Sequence, residues 1–344
     1  MHMADALLSP AVGTTFWAGT LAAIAYCSKR LKETMDEKMV PLMGVLGAFI
    51  FAAQMINFTI PATGSSGHLG GGIILSVILG PYAAFIVIAS VLTVQALFFA
   101  DGGLLALGCN IWNLGIYPCF IAYSLIYKPL VSYGATPGRI AFAAFISGVV
   151  GLQLGAFSVV MQTLLSGRSE LPFGTFVLLM QPVHLGIGIV EGFATAGVIN
   201  FIKSARPEIF ESTFSARPLA ADISLRKVFV GLLIAAVLTG GMLSWFASTN
   251  PDGLEWAIEK TFGKPELPEH TQSIASSLKK IQESTSFLPE YAFKKTENTE
   301  APKKEEAWPN VDAGKSLSGV VGSSIVIGMV LLIGFSIKAM RRRI

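Results

Sequence analysis

Between Lys38 and Lys128 the only ionised side chain is Asp101. About ninety residues with almost nothing that requires water do not make a soluble domain, in which roughly a quarter of residues are charged. The whole chain shares the bias: of 344 residues, 52% are apolar and 14% charged, and the mean hydropathy is +0.61. A cytosolic enzyme is excluded, and a polytopic membrane protein is expected.

Crossing a hydrocarbon core of about 30 Å takes about 20 apolar residues as a helix, and only helices or closed barrels satisfy the backbone there. The apolar runs are continuous, which predicts an all-α, polytopic transmembrane helical bundle. The segments are 11–28, 39–58, 72–80, 83–99, 104–127, 139–165, 177–202, 226–247 and 317–338. Of these nine, 72–80 is too short to span unaided and forms a broken pair with 83–99 across Pro81.

Orientation follows the Lys and Arg residues beside the spans. Lys29, Arg30 and Lys32, then Lys128 and Arg139, then Lys203, Arg206, Arg217, Arg226 and Lys227, and finally Lys338 and Arg341 to Arg343 all favour the cytoplasm. A multi-pass protein of the plasma (inner) membrane is expected, with its N-terminus extracytoplasmic and its C-terminus cytoplasmic. The start MHMADALLSP carries an acid and no Lys or Arg, unlike a signal peptide, so the chain is expected to begin at Met1. Tyr26 before Cys27 argues against a lipoprotein site, and Cys27, Cys109 and Cys119, in apolar runs without CxxC pairing, read as small core residues.

The polar segment 248–316 falls outside, with 12 acids, 9 lysines and no arginine. Within it, 269–286 and 294–306 read as poorly ordered or loosely helical. The stretch 203–225, with Pro207 and Pro218 among basic residues, reads as a linker, which places a boundary near 211. Residues 1–211 would be a seven-helix unit and 212–344 a two-helix unit with the outer loop. The net charge of +3 is not clustered on any recognition module, so no nucleic acid is expected as a partner; membrane lipid is.

Four histidines can be weighed singly. His270, beside Glu269 in the polar loop, reads as solvated. His184 and Glu191 share a small-residue face of the seventh span, about two turns apart and too far for direct pairing. A Glu inside a span is either functional or a cement for helix packing.

His2 is distinctive for its position. A free amine on Met1, the amide of residue 2 and Nδ1 of its imidazole would close a five- and a six-membered chelate ring in one plane. A d⁸ or d⁹ ion such as Ni²⁺ or Cu²⁺ favours that square-planar arrangement, whereas Zn²⁺ prefers a tetrahedron. His68, in the glycine-rich loop Thr63–Gly72 on the same membrane face, is the candidate for the fourth corner; the bland alternative is a flexible turn with an incidental His. Met3 reads as an apolar neighbour. Asp5 could hydrogen-bond a ligand imidazole as an outer partner or cap the first helix.

No HExxH and no GxSxG elbow is present, and Asp312–Ser316 resembles the end of a phosphate loop whose earlier glycine is replaced by Pro309. An enzyme is not expected, and energy for transport would come from partners.

The opening Met1-His2 with Ala4-Asp5 and Leu8-Ser9-Pro10, the loop Ser66-Gly67-His68-Leu69-Gly70-Gly71, and Val183-His184 leading to Gly192 resemble the CbiM/NikM family, the substrate-binding membrane components of nickel and cobalt energy-coupling-factor (ECF) transporters. The resemblance covers residues 1–210. The remainder resembles the small CbiN/NikN-type component, through Asn250-Pro251-Asp252-Gly253-Leu254-Glu255-Trp256 and Phe287-Leu288-Pro289-Glu290-Tyr291.

The resemblance implies metal ligands from Met1, His2 and His68, with Asp5, Ser66, His184 and Glu191 as outer candidates. It implies Ni²⁺ or Co²⁺ as transported substrate and no cofactor. It also implies a transmembrane scaffold subunit (EcfT/CbiQ/NikQ-like) and a cytoplasmic ATPase dimer (CbiO/NikO-like) as partners. The PDGLE part would help the ion reach its site. Rival readings are a membrane metal sensor or receptor, which binds without transport, and a membrane metalloenzyme using His2, His68, His184 and Glu191.

Overall fold

The computed structural model describes residues 2–34, 36, 38–215, 225–268, 273–293 and 309–341. Its long elements are helices: α1 (Pro10–Thr34), α2 (Met39–Gln54), α3 (Gly72–Leu79), α4 (Pro81–Phe99), α5 (Leu107–Ser132), α6 (Pro137–Leu165), α7 (Phe173–Ala205), α8 (Pro207–Ser215), α9 (Arg226–Gly241), α10 (Gly253–Phe262), α11 (Ser273–Thr285) and α12 (Ala313–Arg341). Five of them, α4 to α7 and α12, are long and apolar enough to cross a membrane. Each of the nine expected segments contains a helix, with α3 at eight residues the short one.

Local chemistry explains the breaks. Gly80, at φ 82°, ends α3, and Pro81 opens α4, where its missing N–H costs nothing. Within α5, Trp112–Tyr127 follows the wider π pattern around Pro118, whose ring removes one bond from the ladder.

Lipid tails are as apolar as leucine, so helices in a membrane associate through close packing at small residues. The seam between the two sequence units is built this way. A Cβ on Gly240 would lie 2.9 Å from Gly319 Cα, one on Gly47 would lie 2.9 Å from Val326, and Ser323 Oγ donates to the Ala48 carbonyl at 3.2 Å. Helices α9 and α12 thus clasp each other and α2. Cys27, Cys109 and Cys119 are free and buried, as a core role requires.

Two places differ from the sequence expectation, and a third decides between its two alternatives. The second span stops at Gln54, and the chain then forms a hairpin of β1 (Phe58–Ile60) and β2 (Ser65–Gly67), antiparallel with Ile60 opposite Ser65. The stretch 203–225 is helical through α8, which packs Phe210 into the core and donates Thr213 Oγ1 to the Ile78 carbonyl at 2.7 Å; residues 216–224 lie outside the described residues. Of the polar loop, Ser273–Thr285 is the helix α11, held by Gln282 Nε2 to the Ala96 and Gly102 carbonyls, whereas 294–306 and His270 lie outside the described residues.

Candidate metal centre

The hairpin, the N-terminal segment, the α4–α5 loop and the start of α10 converge at one end of the bundle. Their meeting point is a pair of imidazoles. The rings of His2 and His68, 66 positions apart in sequence, lie parallel with centroids 4.9 Å apart and planes within 8°.

His68 rides on a fixed loop. Glu191, buried on α7, accepts the Gly70 N–H on Oε2 and the Gly71 N–H on Oε1, each at 3.0 Å. Gln54 Nε2 donates to the Gly70 carbonyl at 2.9 Å. Gly71 has φ 77°, a left-handed conformation natural to glycine, and a Cβ there would strike Ile50 Cδ1 at 2.6 Å. The loop is therefore a built element, and the flexible-turn alternative falls away.

The His68 ring is 7% exposed, and burial holds its imidazole down to about 3, so it is neutral at physiological pH. Its Nδ1 lies 3.1 Å from the Leu69 carbonyl. With Nδ1 donating there, Nε2 carries the lone pair, the form in which imidazole binds metals.

Upstream of α1, backbone bonds hold the N-terminal segment in place. Met3 N–H donates to Asn110 Oδ1 at 2.9 Å, Asn110 Nδ2 returns a bond to the Met3 carbonyl at 3.2 Å, and Gly103 N–H donates to the same carbonyl at 2.9 Å. Asp5 Oδ1 accepts the Ala106 N–H at 2.9 Å, while Ser9 Oγ accepts the Val12 N–H at the start of α1. Asp5 thus ties this segment to the α4–α5 loop. The carboxylate facing His2 is Asp101, with Oδ1 3.1 Å from Nδ1. Met3 is fully buried, as an apolar neighbour should be, and Met1 lies outside the described residues.

The second unit closes the site. Ser66 N–H donates to the Pro251 carbonyl at 2.8 Å, its Oγ donates to the Asn250 carbonyl at 2.8 Å, and Ser66 forms a parallel bridge to Asp252. Asp252 caps α10 in a capping box with Glu255. A small cavity between the units is lined by His68, His184, Asp252 and Gly253. His184 Nδ1 lies 2.8 Å from the Met180 carbonyl, and its buried Nε2 has no partner among the described residues.

Of the residues singled out in the sequence, the structure brings together His2, His68, Ser66, His184 and Glu191; Asp5 stands one connection away. Asp101, Asn110 and Asp252 had not been singled out as site residues. The lone charge in the apolar stretch was the available signal for Asp101; the pairing of Asn110 with Met3 had none. Among the described residues no three His, Cys, Asp or Glu side chains are grouped to hold a metal ion.

Comparison with known proteins gives this end of the molecule its context. A family model described as the cobalt uptake substrate-specific transmembrane region, CbiM, matches residues 2–209. The chain belongs to the CbiM family. Residues 226–339 of this CbiM-family chain match a PDGLE domain, so the two modules are fused.

Among its relatives, a putative fused nickel transport protein NikMN of Archaeoglobus fulgidus is 36% identical over 68% of this chain and 76% of its own length. A probable fused nickel transport protein LarMN of Lactiplantibacillus plantarum is 30% identical over 76% of this chain and 79% of its own. A crystal structure of a transition metal transporter matches with a TM-score of 0.54 and 29% identity, over 62% of this chain and 98% of that one. The CbiM-family chain is accordingly a multi-pass membrane component of a transport system and not an enzyme.

Proposed function

We propose that the chain captures Ni²⁺ or Co²⁺ outside the cell and delivers it to the cytoplasm. The ion would lie in a plane of four nitrogens: the Met1 amine, the His2 amide and Nδ1, and His68 Nε2. A strongly hydrated ion must shed its waters to enter, and four nitrogens replace them for a transition metal but not for Mg²⁺ or Ca²⁺, which prefer oxygen. The observation that carries this reading is that the fold brings His2 and His68 side by side, with ring centroids 4.9 Å apart.

In this reading residues 1–211 hold the ion and 212–344 form the module that assists loading. A scaffold subunit and a pair of cytoplasmic ATPases reorient the loaded component. The outward placement of the N-terminus follows from the Lys and Arg distribution.

Uptake of labelled Ni²⁺ and Co²⁺ with and without the partner ATPases tests the assignment. ATP-dependent accumulation is expected; binding without accumulation would indicate a sensor instead. A yellow, diamagnetic nickel complex is expected of the planar site, and a green paramagnetic one would reject it.

A further inference from the structure

The two oxygens of Asp101 face different halves of the molecule. Oδ1 lies 3.1 Å from His2 Nδ1, and Oδ2 accepts a hydrogen bond from Tyr291 Oη at 2.5 Å. Tyr291 ends the Phe287–Tyr291 motif of the second unit.

The placement of this tyrosine is unusual. Glu290 and Tyr291 have φ of 52° and 61°, consecutive non-glycine residues in the left-handed region that Cβ atoms disfavour. Such outliers persist where the surroundings over-determine them, and they cluster at functional sites. Here the Tyr291 ring stacks on Phe99 at 5.1 Å and meets Phe51 edge-on at 6.2 Å, and its carbonyl accepts from Ser318 Oγ at 3.1 Å. The strained turn delivers one phenol to one carboxylate.

The consequence falls on His2. Its Nε2 is buried without a partner among the described residues, and Nδ1 faces the Asp101 carboxylate. That is the nitrogen the N-terminal chelate uses. We infer that Asp101 and Tyr291 are positioning residues that latch His2 in a non-chelating orientation until an ion arrives. The inference rests on the chelate reading above: loading must break the His2–Asp101 contact and turn the ring. The latch stabilises the unloaded arrangement, so weakening it accelerates loading.

The test uses the full chain in nanodiscs, with stopped-flow loading of Ni²⁺ and ¹⁵N-histidine spectra of the metal-free protein. Asp101→Ala is expected to load about fivefold faster, the scale of one net hydrogen bond. Tyr291→Phe keeps the ring stacking but releases the carboxylate, and about twofold is expected. In metal-free wild type, the His2 signals, assigned by their loss in His2→Gln, should show Nδ1 protonated, and Tyr291→Phe should shift them. A purely structural role would lower thermal stability and slow loading, leaving the His2 nitrogens unmoved. Unchanged or slower loading in folded Tyr291→Phe overturns the latch. Should wild type take up neither metal, the chelate reading fails separately, and the latch is then judged by the His2 signals alone: identical spectra in wild type and Tyr291→Phe overturn it.

Discussion

The two imidazoles that meet at one end of the bundle are held in opposite ways. His68 belongs to a loop whose backbone is pinned by Glu191, Gln54 and the second unit's Asn250 and Pro251. The backbone next to His2 is anchored at Met3, but its ring rests against a carboxylate. For the proposed centre, the difference implies that one half would be preformed and the other would have to move. A preformed half would lower the ordering cost of binding.

The contrast can be broken most severely from the adjustable side. One residue added before Met1 turns the amine into an amide, and affinity for Ni²⁺ by titration should fall by more than the roughly 10–100-fold that loss of an outer partner costs. Undiminished affinity would remove the N-terminus from the centre.

On the fixed side, Glu191→Ala strands two buried N–H groups, each worth about 1–3 kcal/mol. Thermal unfolding should register the loss, with binding weakened because His68 loses its platform. Gly71→Ala forces a Cβ into a left-handed residue against Ile50 and should cost about 1–2 kcal/mol in the same assay. Equal stability in both variants would show the loop to be less constrained than its bonds imply.

Acid probes His68 directly. Its imidazole is held near 3 by burial, against an ordinary 6.5, so the folded protein resists its protonation while the unfolded chain accepts it. That contribution to stability is complete above about pH 6.5 and is lost as pH falls toward about 3. In His68→Ala the decline should be shallower over that window, and an identical profile would dismiss His68 as its source.

The smallest effect is expected at the seam between units. Ser66→Ala removes the hydroxyl bond to Asn250 but keeps the backbone bond to Pro251, so about 1 kcal/mol or less is expected, read by thermal unfolding. A large loss would mean that the hydroxyl, and not the backbone, carries the docking.

Much of this architecture was legible because the bilayer acts as a solvent that hydropathy reports residue by residue. The nine helical segments, the break at Pro81 and the core cysteines follow from that. The β1–β2 hairpin did not, since three-residue strands leave too short a pattern. Helix α8 was hidden because Pro207 read as a linker residue, whereas it opens the helix, where proline is welcome.

The candidate centre divides similarly. His2 and His68 stood out by chemistry and position. The partners that hold them, Asn110 to Met3, Asp101 to Tyr291 and Ser66 to Asn250, are 107, 190 and 184 residues apart, distances over which periodicity carries no information. Their meeting depends on how helices lean together at glycine and serine contacts, and no local pattern encodes that.

The glycine contact between Gly240 and Gly319, with α9 and α12 clasped to α2, bears on how such molecules can be encoded. Among the described residues, the contact between the halves resides in buried surfaces. Two polypeptides separated between residues 215 and 225 would still present the same glycine surfaces to each other.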